Sequence, residues 1–138
     1  MEVINIGVVI IGRNEGERLK RSLQSVMGVG QRIVYVDSGS QDGSVEWCMA
    51  QRVQVVELDT SLPFTAARGR NAGLKRLREL EPQLRYVQFV DGDCELNPAW
   101  LKAAAESLDQ NPKLAAVCGR LNEAHPKLSI YNQMCDLQ

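Results

Sequence analysis

Val3 to Ile11 is an almost wholly apolar run, and a short stretch of that kind suits a strand buried on both faces. A strand covered on both sides requires helices above and below it, and the following residues supply them in alternation. Asn14 reads as a helix N-cap with Glu17 at the third helical position, and Leu19, Leu23 and Val26 then recur at helical spacing until Gly28 and Gly30 close the helix. Arg32 to Val36 reads as a second strand, Asp37 to Gly43 as a polar, turn-rich loop, Ser44 to Ala50 as a short helix, and Val53 to Leu58 as a third strand. After a loop from Asp59 to Thr65 containing Pro63, Ala66 to Glu79 offers good helix formers, with Ala67, Leu74 and Leu77 on one face. Leu84 to Val90 reads as a buried strand, and Asn97-Pro98 opens a helix whose inward face is Trp100, Leu101, Ala104 and Leu108. Leu114 to Cys118 is a further strand candidate, broken by Gly119-Arg120. Each crossover is long enough to return the chain parallel, so the expected fold is an open, mostly parallel α/β sheet flanked by helices.

At 138 residues the chain fits one domain with a sizeable core, and its expected organisation is a single domain over residues 1–138. The formal net charge of −1 provides no basic field, which argues against nucleic acid or an anionic membrane as partner. No apolar run reaches the ~20 residues of a membrane helix, and the start of the chain lacks a signal-peptide pattern. Cys48, Cys94, Cys118 and Cys135 form no CxxC pair, so they read as reduced, partly buried small hydrophobes of a cytoplasmic protein.

Chemistry concentrates where apolar runs end. Tyr86 to Val90 stops at Asp91-Gly92-Asp93, two carboxylates one glycine apart, at the strand end where α/β sheets place their ligands. Such a pair repels itself unless a cation intervenes, and hard divalent ions take oxygen ligands. Asp-Gly is also a hairpin signature, but Asn97-Pro98 opens a helix downstream where a hairpin needs an alternating strand. Asp37 to Asp42 could present a carboxylate to a ribose or base, or could simply cap the next helix through Ser40 or Asp42. Arg68, Arg70 and Asn71 open a helix, a place suited to a diphosphate or, equally, to solvated arginines. Gly12-Arg13 belongs to neither GxGxxG nor GxxxxGK[ST], which argues against a dinucleotide enzyme or a P-loop NTPase. His125, beside Pro126, reads as a loop residue.

Four segments in order, Val8 to Glu15, Val36 to Ser44, Ala67 to Gly73 and Phe89 to Asp93, resemble the family 2 glycosyltransferases. The resemblance implies a Rossmann-like nucleotide-sugar domain of GT-A type, incomplete at its C-terminus, and metal-assisted transfer of a sugar from a nucleoside-diphosphate sugar to the hydroxyl of a carbohydrate or lipid-linked acceptor. By position, Gly12, Arg13, Glu15 and Asp37 would hold the base and ribose, and Arg70 would lie near the diphosphate or sugar. Asp91, Gly92 and Asp93 form the DxD-type motif, with Asp93 the direct ligand of Mg²⁺ or Mn²⁺ and Asp91 nearer the ribose or sugar. Family members usually invert the anomeric carbon, with a carboxylate taking the acceptor's proton. Where many relatives carry Pro-x-Tyr-Asn-Glu, this chain has Ile11-Gly12-Arg13-Asn14-Glu15, so Arg13 stands in place of the aromatic residue.

The last helical pattern, Ser129 to Gln138, has no closing signal. The expectation is therefore a donor-binding piece of a longer transferase, with its catalytic base beyond residue 138 and self-association of the piece. The enzymatic alternatives are a Toprim-like Mg²⁺-dependent nucleic-acid domain, which a near-neutral charge disfavours, and a nucleotidyltransferase, for which no glycine-rich triphosphate loop is found. A third is a nucleotide-binding module without turnover.

Overall fold

The computed structural model describes residues 5–29 and 32–136. Val3 and Ile4 of the first expected strand, Gly30 at the expected end of the first helix, and the last two residues of the last helical pattern lie outside that description. The order is β1 (Ile6–Gly12), α1 (Glu17–Val26), β2 (Arg32–Asp37), α2 (Ser44–Ala50), β3 (Gln54–Glu57), α3 (Ala66–Leu80), β4 (Tyr86–Asp91), α4 (Trp100–Gln110) and α5 (Ile130–Asp136). The strands form one sheet in the order β3-β2-β1-β4, with every pair parallel. The α/β class with a parallel sheet is therefore present. The chain divides into two compact units, Met1–Glu106 and Ser107–Gln138.

In the first unit, β1 is central and buried from Ile6 to Ile11. Its side chains alternate between two cores. Ile6, Val8 and Ile10 join Leu19, Leu23 and Val26 of α1, Cys48 of α2, and Leu101 and Ala105 of α4. Val9 and Ile11 join Val34 and Val36 of β2 and Leu77 of α3 on the opposite face. The apolar runs of β1 and β2 thus serve a sheet covered on both sides.

Three expectations change in this unit. Ala67 is exposed and Leu74 half-buried; α3 instead buries Gly69, Gly73 and Leu77. A Cβ at Gly73 would collide with a Val9 methyl and lie 2.9 Å from a Val36 methyl, so the missing side chain brings the helix backbone down onto the sheet. β4 lies at the edge of the sheet, and only Val90 along it is buried, with Phe89 38 % exposed. Its apolar run is therefore an edge strand rather than one covered on both faces. Asn97 sits before a turn, accepting the Ala99 N–H at 2.9 Å through Oδ1, and α4 begins only at Trp100.

In the second unit, residues 114–118 form no strand. Leu114, Ala115, Ala116 and Cys118 are exposed, and among the described residues no strand pairs with them. A short apolar run holds an extended shape only when a neighbour accepts its backbone hydrogen bonds. α5 carries no buried residue and starts after Ser129, whose Oγ accepts the Asn132 N–H at 3.2 Å.

Candidate functional site

Strand register builds the rim of the first unit. Gly12 pairs with Asp37 across β1 and β2, and Ile11 pairs with Asp91 across β1 and β4. The carboxyl ends of three strands, each carrying a residue singled out from the sequence, therefore stand level on one edge, as ligand sites of parallel α/β sheets require.

The loops beyond these ends are stitched together. Asn14, with φ of 54°, donates its backbone N–H to Ser40 Oγ at 2.8 Å, and its Oδ1 accepts the Gln41 N–H at 2.7 Å. Asp42 accepts the Gly16 N–H at 2.9 Å through Oδ2 and the Ser44 N–H at 3.1 Å through Oδ1. Gly12 O accepts both the N–H and the hydroxyl of Ser38 at 3.1 Å. The expectation that Asn14 caps α1 is thus corrected: the cap position belongs to Gly16, which has no side-chain bond, while Asn14 clasps the neighbouring loop. Asparagine tolerates the left-handed conformation and hydrogen-bonds locally, so its side chain suits this post. The Asp42 carboxyl is held below the usual carboxylate range by its hydrogen bonds, Ser44 first and Gly16 after it, with slight burial opposing.

Asp37 is 2 % exposed. Its Oδ1 accepts the Tyr35 hydroxyl at 2.8 Å, and its Oδ2 accepts the N–H groups of Gly39 at 2.9 Å and Ser40 at 2.8 Å. An ionised carboxylate has about four acceptor sites, so three are occupied in shaping the loop. Burial first, and then Asp37, push the Tyr35 phenol far up, so it stays a donor. Burial, followed by the charges of Asp37 and Asp42, pushes the Cys48 thiol up to about 12.

Glu15 lies between the ends of β1 and β4. A Cβ placed on Gly12 or on Gly92 would each come within 3.1 Å of Glu15 Cγ. Its side chain is 18 % exposed, and Arg18 Nη2 stands 2.9 Å from Oε2. That approach is off the hydrogen-bonding direction, so this buried oxygen has a charge partner but no hydrogen bond. Arg13 is exposed, and no partner among the described residues engages its guanidinium.

On the other side of the rim, Gly92 donates its N–H to Ile11 O at 2.7 Å and Cys94 donates its N–H to Asp91 O at 2.9 Å, which fixes the tight turn after β4. Arg70, in the second turn of α3, donates from Nη2 to Asp91 Oδ1 at 2.9 Å. Arg68, read from sequence alongside it, is committed elsewhere: it folds back on the preceding loop and donates to Asp59 O at 2.8 Å and Leu62 O at 3.3 Å. Asn71 is exposed. Asp93 is exposed, with the Cys94 thiol 3.5 Å from Oδ1. Burial, followed by the charges of Asp93 and Asp91, raises that thiol to about 11.

Among the described residues no three His, Cys, Asp or Glu side chains converge as a metal cage. The donor set is two carboxylates on a tight turn, with a glycine between them where a Cβ would stand 3.1 Å from Ile11 O. That set fits Mg²⁺ or Mn²⁺ of the kind held by one or two carboxylates together with substrate phosphates, and does not fit an all-protein cage. No described helix is long and apolar enough to cross a membrane.

The fold and rim are those of an open parallel α/β protein that gathers carboxylates and an arginine at the carboxyl ends of its strands, where such sheets place their ligands. Residues 7–133 match the model of Glycosyl transferase family 2, and the chain belongs to that family. Its role is therefore of the glycosyltransferase type, with binding of a nucleotide sugar and an acceptor. The nucleic-acid and nucleotidyltransferase alternatives give way to this assignment. Comparison with curated proteins gives no match.

Proposed function

We propose that the rim of the first unit is the donor site of a metal-assisted, inverting glycosyltransferase. Gly12, Arg13, Glu15 and Asp37 receive the nucleoside, Arg70 the diphosphate or sugar, and Asp91, Gly92 and Asp93 the metal end of the donor. The observation that carries this reading is the register that brings Gly12, Asp37 and Asp91 level on one sheet edge within the segment matched by the family.

Each residue's part follows from its setting. Gly12 and Gly92 keep the floor low, so that a ligand can approach backbone. Asp37 has one acceptor site left for a ribose or base donor while its other bonds hold the loop. Arg13 offers a flat cation to the base in place of an aromatic ring. Asp93 is exposed, meets the weak Cys94 thiol donor at 3.5 Å where Asp91 meets Arg70, and is the direct ligand of Mg²⁺ or Mn²⁺. When bound, the cation supplies Lewis-acid stabilisation of the departing diphosphate. No residue is assigned as the base that takes the acceptor's proton.

The test is calorimetry with UDP, GDP and ADP in the presence of Mn²⁺. One of the three should bind, and Asp93→Ala should weaken it by about tenfold or more, the loss of a charge-assisted ligand. If none binds, or Asp93→Ala binds as well as the wild type, the assignment is wrong.

A further inference from the structure

We propose that Arg70 is an exchangeable counter-ion, which neutralises Asp91 in the ligand-free protein and leaves it for the diphosphate when a divalent cation and donor arrive. This rests on the donor-site reading above and adds to it an order of events and a competition within the protein.

Three observations carry it. First, Arg70 Nη2 stands 2.9 Å from Asp91 Oδ1, so a carboxylate of the acidic pair already has a cation, one supplied by the chain itself. Second, the pair is open to water: the Arg70 side chain is 39 % exposed and that of Asp91 is 52 % exposed. Exposed pairs of this kind are weak and easily parted. Third, only the side chain of Arg70 has to move. Its neighbour Gly69 is seated on β1, where a Cβ would meet an Ile11 methyl at 3.4 Å, and Gly73 packs still closer on Val9. The Asp91 backbone is tied on both sides by the turn bonds of Gly92 and Cys94. A fixed helix and a fixed turn thus hold a flexible side chain between two alternative anions.

Arg68 cannot take this part, because its guanidinium is spent on Asp59 O and Leu62 O. Of the two arginines in the first two turns of α3, Arg70 is therefore the one free to be handed over. Once it leaves Asp91, two exposed carboxylates one glycine apart in the chain have lost that compensating charge, which favours a cation in its place. The consequence is a sign reversal: Arg70 opposes binding of the metal alone and supports binding of metal and nucleoside diphosphate together.

The experiment titrates Mn²⁺ alone into the protein, read by loss of the free-ion electron paramagnetic resonance signal, and then UDP, GDP and ADP by calorimetry at saturating Mn²⁺. Arg70→Met, which keeps most of the stem and loses the charge, should bind Mn²⁺ alone roughly three- to fivefold more tightly than wild type, the factor an exposed ion pair contributes. It should bind the preferred diphosphate about tenfold or more weakly. Arg70→Lys, which retains the charge, should bind Mn²⁺ alone like wild type. Unchanged or weaker Mn²⁺ binding by Arg70→Met, with Mn²⁺ binding still lost in Asp93→Asn, overturns this inference and leaves the donor site standing. Unchanged diphosphate binding by Arg70→Met overturns the handover. Absence of any Mn²⁺ or diphosphate binding by the wild-type protein overturns the donor site and the inference together.

Discussion

A side chain added at Gly92 or at Gly12 would meet Glu15, yet the two differ in what else surrounds them, and that difference ranks them. A Cβ at Gly92 would lie 3.1 Å from the Ile11 carbonyl oxygen and 3.5 Å from Gly12 Cα, both backbone atoms of the central strand. Backbone there cannot retreat without breaking the Gly92 N–H bond to that same oxygen. The nearest atoms to a Cβ at Gly12 would be side-chain atoms, Glu15 Cγ at 3.1 Å and the Tyr35 ring at 3.5 Å, and Glu15 can swing aside. Gly92→Ala is therefore expected to cost about 1–3 kcal/mol, the range for overpacking, and Gly12→Ala less. Urea denaturation of the two variants checks the order. Part of this is legible in the sequence, which singles out Gly92 as the glycine between two aspartates at a strand end. The carbonyl it must clear belongs to a strand some eighty positions earlier, and no local pattern announces such a neighbour.

At the scale of elements, α3 shows how a helical pattern can mislead. Its larger apolar residues suggested a face through Ala67, Leu74 and Leu77, yet the helix buries two glycines and Leu77. Glycine is disfavoured in a helix by roughly 0.5–1 kcal/mol against alanine, so two of them four apart were the available sign of close packing. The two sites should respond differently. At Gly69 the nearest atom to an added Cβ would be an Ile11 methyl at 3.4 Å, an ordinary contact, so helix propensity wins and Gly69→Ala is neutral or stabilising by up to ~1 kcal/mol. At Gly73 the added Cβ would overlap Val9 and stand 2.9 Å from Val36, both buried, so overpacking wins and Gly73→Ala destabilises by about 1–2 kcal/mol net. An unchanged or raised urea midpoint for Gly69→Ala and a lowered one for Gly73→Ala are the expected result; lowering of both to the same extent would remove the distinction. The clasp between the loops after β1 and β2 was equally hidden. Asn14 was read as a cap, because a capping residue and a loop clasp use the same short polar side chain, and only parallel pairing of β1 with β2 brings Ser40 and Gln41 to it.

Over the whole molecule, legibility follows burial. In Met1–Glu106 strands and helices were foreseen within a few residues, since β1, β2 and the helices bury apolar side chains in the two cores. In Ser107–Gln138 the expected strand is absent, and Leu121, Leu128, Ile130, Tyr131 and Met134 are all more than half exposed, so periodicity had no core to report. Carboxylates with lowered pKa occur in both units. Asp42 is lowered by Ser44 and Gly16, Asp59 by Ser61, and Glu123 by the His125 N–H and the Asn132 side chain. A carboxyl whose folded pKa lies below its unfolded value binds more protons unfolded, so its stabilisation is complete above the unfolded value and is lost as pH falls through the folded one. The ordinary values are 3.8 for the two aspartates and 4.5 for Glu123, which puts the loss on the acid side of pH 4.5. Melting followed by circular dichroism should therefore show a Tm level from about pH 7 to 5 and falling below about 4.5. Asp42→Asn with Glu123→Gln should melt lower at neutral pH, because an amide offers one acceptor oxygen where the Asp42 carboxylate serves two N–H groups. The same double variant should lose less Tm on acidification, having two fewer groups to protonate. An acid slope as steep as that of the wild type would show that other carboxylates govern the acid limit of this fold.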